Sequence, residues 1–342
     1  MAGPGRRRTT AAGVGAAVCG AGRTPVSNEF QAAMDLLLGD APTLDEVQRA
    51  TALLEVASAN GDADASERLA LLDAFGSARP PDWDRSLDFL SRAAAQGLRS
   101  AQEQLLLLAD NQSYPSAPDR ADAAFWTELR SRVPLADRMS SPAKDNLSES
   151  PRIRVIRKFA SEPECRWIIA TARPRLAPAK VFDNETGEQI HHRTRDNSAL
   201  VLRLGEMNVL TEVIRNRISA ATNLPVPLFE PAQVLHYAVG QRFKTHHDFL
   251  DPANPAYRAS IETFGQRIAT FLIYLNDGYE GGETSFPNIG LKFRAGLGDA
   301  LLFANVHRDG TPDVNTLHAG EPPISGEKWV FSQWIRDRFP GR

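Results

Sequence analysis

The chain has 342 residues, 42% of them hydrophobic and 24% charged, which is enough apolar material for one large core or two domains and too much for wholesale disorder. Its formal net charge of −3 argues against nucleic acid as an obligate partner. Two cysteines, Cys19 and Cys165, are too few for a disulfide framework, and no apolar run reaches membrane-spanning length; no membrane association is expected, and the cytoplasm is the expected compartment.

Residues 1–28 are rich in Gly, Ala and Arg. Arg6-Arg7-Arg8 followed by Ala11 to Gly22 imitates the order of a secretory signal, but glycines dilute the apolar part and it contains neither Leu nor Phe, so a disordered tail is expected. Residues 29–135 read as helical and repetitive. Gly61, Ala65, Leu69 and Leu71 fall onto Gly97, Ala101, Leu105 and Leu107 under one constant displacement, and the turns Asn60-Gly61 and Gln96-Gly97 recur with them. Such a period marks stacked helical hairpins, none of which can bury its apolar face without its neighbour. The Ala-rich run Ala93-Ala94-Ala95-Gln96-Gly97 resembles SEL-type repeats, short relatives of tetratricopeptide arrays. That resemblance implies a concave face that docks a peptide or protein partner; the alternative is a plain helical bundle with accidental self-similarity.

Asp110 to Pro118 reads as a loop, Ala121 to Val133 as one more helix, and residues 136–151 as a polar linker that ends the helical domain. Ile153 to Ile156 reads as a strand, Ser161 with Glu164 as a capping box, and Met207 to Ala221 as a helix. The polar stretch Asp183 to Asn197, with His191 and His192, reads as a mobile loop near a site mouth, and His236 and His307 read as structural. From Val234 onward, short strands separated by Gly, Asn and Pro turns suggest the two facing sheets of a jelly roll. The expected fold is therefore α+β and multidomain: an all-α helical-repeat N-terminal domain, then a double-stranded β-helix with supporting helices over residues 152–342.

The chemistry sits in the second part. His246, Asp248 and the distant His318 form the two-imidazole, one-carboxylate set that holds non-haem Fe(II) while leaving coordination positions open. Side chains alternate along a strand, so His246 and Asp248 point one way and His247 the other. Further on, Ile324 to Ile335 reads as a turn and a strand that places Lys328, Val330, Ser332 and Trp334 on one face. A buried Lys328 needs an anion, and beside an open iron the far carboxylate of 2-oxoglutarate would suit it.

The surrounding text extends the pattern. Tyr237 through Asp248, Arg267 to Asn276, Glu280-Gly-Gly-Glu-Thr284, Gly298 to Phe303, Leu317-His318-Ala-Gly320 and Gly326 to Trp329 together resemble, in order from about Arg152 to the C-terminus, the prolyl 4-hydroxylase family of 2-oxoglutarate/Fe(II) dioxygenases. The resemblance implies that His246, Asp248 and His318 ligate the iron and that Lys328 pairs with the C5 carboxylate of 2-oxoglutarate. It also implies that Tyr237, Thr270 and Tyr274 line the co-substrate pocket, and that Arg195, Asn197, Phe243 and Trp334 stand where relatives meet a peptide. Two positions depart from the family, which usually has Tyr at Phe243 and Ser at Asn197, so a collagen-like prolyl substrate does not follow. The reaction implied consumes 2-oxoglutarate and O2, releases succinate and carbon dioxide, and hydroxylates a C–H bond, with peptidyl proline as the leading target in a peptide or protein substrate docked by the repeats; the need for ascorbate stays open. Two alternatives stand beside it: a 2-oxoglutarate oxygenase acting on another residue or a small molecule, and a non-catalytic repeat-based binding module.

Overall fold

A computed structural model of the protein describes residues 26–39, 41–77, 79–110, 122–179, 181–182, 189–190 and 195–339. The expected tail up to Pro25, the loop after Asp110, and His191 and His192 lie outside the described residues.

The C-terminal part is built from antiparallel sheets. Eight strands hydrogen-bond in the order Asp145–Glu149, Arg152–Ile156, Ala300–Ala304, Arg267–Tyr274, Lys328–Arg336, Ala232–Tyr237, Ser198–Leu202 and Ala177–Pro178. A four-stranded sheet runs Leu291–Phe293, Thr284–Phe286, His318–Gly320 and Phe243–His246. Ile153, Tyr237, Tyr274, Phe303 and Val330 of the large sheet share one apolar core with Phe286 and Phe293 of the small one, so the two pack face to face, consistent with a double-stranded β-helix. The opposite face of the large sheet, with Phe271, Ile273, Trp329, Phe331 and Ile335, packs on the helices Glu162–Ala172 and Val209–Thr222. Alternation along the last strand therefore sends Lys328 and Val330 inward to the small sheet and Trp329 and Phe331 back to the helices. The turn that launches this strand depends on Gly326, whose φ of +72° is left-handed and whose missing Cβ would stand 2.4 Å from the Gly278 carbonyl oxygen.

The N-terminal part is helical: α1 (Asn28–Leu37), α2 (Leu44–Ala59), α3 (Ala63–Phe75), α4 (Trp83–Ala95) and α5 (Arg99–Asp110). The repeat seen in the sequence recurs in the backbone hydrogen bonds. Gly61 N–H donates to the Ser58 carbonyl and Asp62 N–H to Ala57; at the next hairpin Gly97 donates to Ala94 and Leu98 to Ala93. Both glycines are left-handed, with φ of +95° and +91°, closing α2 and α4 in the same Schellman-like manner. Ala65, Leu69 and Leu71 are buried, as are Ala101, Leu105 and Leu107. Two consecutive hairpins thus share one design.

Where the sequence suggested a linker, the chain is folded. Residues 136–151 hold the end of a short helix, Leu135–Met139, and the strand Asp145–Glu149, which pairs with Arg152–Ile156 at the edge of the large sheet. Its side chains are mostly exposed, which is why its composition is polar. The helical part also shares its core with the sheet: Leu87, Leu90, Leu105 and Leu108 belong to one contiguous cluster with Trp167, Leu210, Ile214 and Phe271. Polar contacts cross the same junction. The Gln104 side chain donates to Glu67 at 2.7 Å and accepts from the Leu210 backbone N–H at 3.3 Å, and the Trp167 indole donates to Glu103 at 3.0 Å.

Candidate active site

Six strands and two loops converge on a cleft between the sheets, with about 450 Å³ of empty space including its open mouth. Its walls include Tyr237, Phe243, His246, Asp248, Thr284, His318, Lys328, Ser332, Trp334 and Arg195.

At one end stand two histidines and an aspartate whose ligating atoms all lie within 4.8 Å of one another. His246 ends the Phe243–His246 strand and His318 opens its neighbour, and the two are direct cross-strand partners, with ring centroids 4.3 Å apart. Each imidazole is fixed by its other nitrogen. His246 Nδ1–H donates to the Lys244 carbonyl at 2.8 Å, and His318 Nδ1–H donates to that of Thr316 at 2.9 Å. The Nε2 lone pairs are thereby left for the centre, each 3.5 Å from an oxygen of Asp248. Burial alone would raise the Asp248 pKa, but His318, His246 and a hydrogen bond from Thr270 outweigh it and hold the carboxyl well below its usual range. Burial, aided by His246, pushes His318 down to about 4 against the pull of Asp248. Two imidazoles and one carboxylate facing a common point suit a divalent iron, and His247 points away, bonded to the Val314 carbonyl at 3.1 Å.

The other end of the cleft is cationic. Lys328 is 2% exposed and makes no hydrogen bond or ion pair with a described residue; its ammonium lies 5.3 Å and 5.5 Å from the ring centres of Tyr237 and Tyr274. Desolvation drives its pKa down to about 8, only partly opposed by Glu283 and Glu321. A buried ammonium without a counter-ion is costly, and this one borders the cleft, so the arrangement fits an anionic ligand reaching past the metal ligands. Tyr274 presents its ring to Lys328 while its hydroxyl bonds Thr284 Oγ1 at 2.7 Å. Burial raises the phenols of both tyrosines, Tyr237 to about 12, so both stay protonated and can donate.

Several residues singled out in the sequence stand one row further back. Thr270 was expected in the pocket wall; it is buried behind Asp248, to whose Oδ2 it donates at 2.7 Å. Asn197 lies beneath Arg195 and accepts from its Nε at 2.9 Å instead of facing the cleft. Arg195 covers the Phe243 ring at 4.8 Å, and that ring stacks on His246 at 3.5 Å and 16°. Trp334 is held from behind by Arg267, 3.8 Å from its ring centre, and Arg267 is paired with Glu230 at 2.6 Å. Lys328, Val330, Ser332 and Trp334, the face read from strand alternation, all line the cleft. Thr284 and Asn305 were missed. Thr284 stood inside a quoted motif without a role, and Asn305, an isolated amide after a strand, carries no local signal.

Comparison with known proteins adds the following. The family described as the 2OG-Fe(II) oxygenase superfamily matches residues 232–336. Probable prolyl 4-hydroxylase 3 of Arabidopsis thaliana is 37% identical over 209 residues, spanning 55% of this chain and 70% of its own length. Prolyl 4-hydroxylase 5 of the same plant is 39% identical, spanning 55% of this chain and 69% of its own length. Among solved structures, the viral collagen prolyl hydroxylase of Paramecium Bursaria Chlorella virus-1 in its 2OG complex aligns with 27% identity and a TM-score of 0.42, over 54% of this chain and 94% of that one.

Proposed function

The chain belongs to the prolyl 4-hydroxylase family of 2OG-Fe(II) oxygenases, and from that premise we propose that it hydroxylates a proline in a peptide or protein. It is a 2-oxoglutarate- and Fe(II)-dependent dioxygenase. The observation that carries the residue assignment is the pairing, across one cleft, of a converging His-Asp-His set with an ammonium that lacks an anion. On this reading His246, Asp248 and His318 hold the iron, and Lys328, with Tyr237 and Thr284 beside it, receives the far carboxylate of 2-oxoglutarate. The bound metal and co-substrate supply the oxidant that replaces a substrate C–H hydrogen by hydroxyl, with O2 consumed and succinate and carbon dioxide released.

The protein's own residues do the rest. The two Nδ1–carbonyl bonds keep each imidazole in the tautomer that presents Nε2. Tyr237, Phe243 and Leu235 exclude water from the cleft, and Lys328 sets the direction in which a dicarboxylate can lie. Arg195, Phe243 and Trp334 form the wall left for the peptide, with Asn197 and Arg267 holding two of them in place.

Phe243 lacks the phenolic hydroxyl usual in the family and Asn197 replaces the usual Ser, and these departures support a second reading, in which the oxidised residue is not proline. The test is succinate release together with mass-spectrometric detection of one added oxygen, using proline-containing peptides and their alanine counterparts. Oxygen gained at a residue other than proline selects the second reading, and no succinate release under any condition sinks both.

The duplicated hairpins support a further part of the reading, that the helical region is a SEL-type array that docks the protein substrate. The reading keeps a helical region over 29–135 but starts the oxygenase region at the edge strand Asp145–Glu149, ahead of the expected limit at 152. No helix among the described residues is long and apolar enough to cross a membrane. A free, buried Cys165 agrees with the proposed cytoplasmic location.

A further inference from the structure

Behind the carboxylate of Asp248 runs a short chain of buried hydrogen bonds. The Asn305 side-chain amide donates to Thr270 Oγ1 at 3.0 Å, and the Thr270 hydroxyl donates to Asp248 Oδ2 at 2.7 Å. Asn305 is fully buried, and Thr270 and Asp248 are nearly so. The three come from separate parts of the fold: the loop after the Phe243–His246 strand, the middle of the Arg267–Tyr274 strand, and the end of the neighbouring Ala300–Ala304 strand. Their spacing is set by the register in which Thr270 lies opposite Phe303 and Ala269 opposite Ala304.

A threonine hydroxyl has one proton and can give it in only one direction. Because the Asn305 amide occupies an acceptor position on Oγ1, the Thr270 proton is free to turn toward the carboxylate. Asn305 is anchored by its own backbone, which donates to the Ile268 carbonyl at 2.9 Å and accepts from Asp313 N–H at 3.0 Å. Its Oδ1 is buried without a partner among the described residues, an unusual state for a side-chain carbonyl. Turning the amide over would not help. The carbonyl would then capture the Thr270 proton, and both the amide N–H and Asp248 Oδ2 would lose their partners, two unpaired groups in place of one.

We infer that Asn305 and Thr270 are positioning residues that fix the rotation of the Asp248 carboxylate: Oδ2, 3.5 Å from His318 Nε2, also accepts from Thr270, which leaves Oδ1, 3.5 Å from His246 Nε2, as the oxygen with lone pairs free for the metal. The inference rests on the proposed role of His246, Asp248 and His318 as the iron site. A carboxylate free to rotate between one-oxygen and two-oxygen binding would alter both the affinity of the site and the number of positions left open; the buried pair removes that freedom. Partners that orient a ligand in this way are worth roughly ten- to a hundredfold in metal affinity.

The test measures metal binding without turnover, on the full chain. Fe(II) affinity is taken from anaerobic equilibrium dialysis, and the ligand-field spectrum of bound Co(II) reports the geometry. Thr270→Val, of the same shape without the hydroxyl, is expected to weaken Fe(II) binding roughly ten- to a hundredfold and to change the Co(II) spectrum, while Thr270→Ser restores both. Asn305→Leu, with Thr270 intact, is expected to give a smaller loss in the same direction. Wild-type Fe(II) affinity and an unchanged Co(II) spectrum in Thr270→Val overturn the inference, as does failure of Thr270→Ser to restore them. Should Thr270→Val not fold, Asn305→Leu decides by the same two readouts. His246→Ala is run alongside: if it leaves Fe(II) affinity intact, the iron site itself is misplaced, an outcome distinct from failure of the relay alone.

Discussion

The helical hairpins and the cleft obey opposite rules. In the hairpins one solution is used twice, with the same left-handed glycine, the same closing hydrogen bonds and the same buried Ala-Leu-Leu positions, and the turn backbone groups are satisfied within each hairpin. In the cleft every residue is used once, neighbours in space are far apart in the chain, and Lys328 is left without a hydrogen-bond or ion-pair partner among the described residues. One region spends its residues on stability, the other holds groups whose partners arrive from outside. Substitutions should therefore separate cleanly into those that change unfolding and those that change ligand constants.

The largest test is to remove one region from the other. A protein beginning near Ser148 would expose Trp167, Leu210 and Ile214, which share a core with Leu105 and Leu108, and would leave Glu164 and Arg217, a buried pair at 2.8 Å, with less cover. It is expected to aggregate or to lose its cooperative unfolding transition, as followed by size-exclusion chromatography and thermal denaturation. A soluble, folded fragment with intact 2-oxoglutarate binding would show that the two regions are separable after all.

Next in size, Asp248→Ala, His246→Ala and His318→Ala should each abolish Fe(II)-dependent succinate release, because two ligands hold Fe(II) poorly, while circular dichroism stays that of the native protein. Normal turnover in any one of them would remove that residue from the metal site. Leu105→Ala should do the reverse. It would cost about 2–5 kcal/mol of stability in denaturant titrations and leave the affinities for Fe(II) and 2-oxoglutarate as they were. A change in those constants would mean that the two regions are mechanically coupled.

Lys328→Ala is expected to raise the half-saturating 2-oxoglutarate concentration roughly ten- to a hundredfold with little change in Fe(II) binding, since a charge-assisted bond is worth about 1.5–3 kcal/mol. Lys328→Arg should recover only part of this, because its fork does not match a single ammonium position. The smallest effect is one of pH. The free-protein pKa of Lys328 is lowered to about 8, and a bound carboxylate would raise it again. Below that pH the ammonium is charged with or without ligand, so affinity is flat in this respect. Above it, binding must take up a proton, and affinity should fall by up to about tenfold per pH unit. A flat titration between pH 7 and 10 would place the anion elsewhere.

Much of this organisation is written in short-range pattern. Period-two alternation was enough to put Lys328, Val330, Ser332 and Trp334 on one wall, to turn His247 away from His246 and Asp248, and the capping box at Ser161 and Glu164 is present as read. The constant offset between Gly61 and Gly97 marked both hairpin turns. What escaped was decided at long range. The edge strand Asp145–Glu149 has no apolar alternation because little of it is buried, so it read as linker. Thr270 was expected in the co-substrate pocket from its strand face and the family resemblance, and Asn197 at the peptide from the resemblance alone, yet Asp248 and Arg195 stand in front of them. The joint core of helices and sheet had no trace at all, since Leu105 and Leu210 each satisfy a local helix pattern whichever surface they meet.

The lone ammonium of Lys328 also bears on how long the protein survives. Its burial without an anion weighs against the empty fold, and a ligand that binds only the folded chain shifts the folding balance by mass action, by about 2.7 kcal/mol at a hundredfold excess over its dissociation constant. Resistance to heat and to proteolysis should therefore climb with the 2-oxoglutarate concentration, and by much less in Lys328→Ala. The abundance of such an enzyme would then follow the supply of its co-substrate before any substrate is met, and protease-resistance assays across a 2-oxoglutarate series would reveal it.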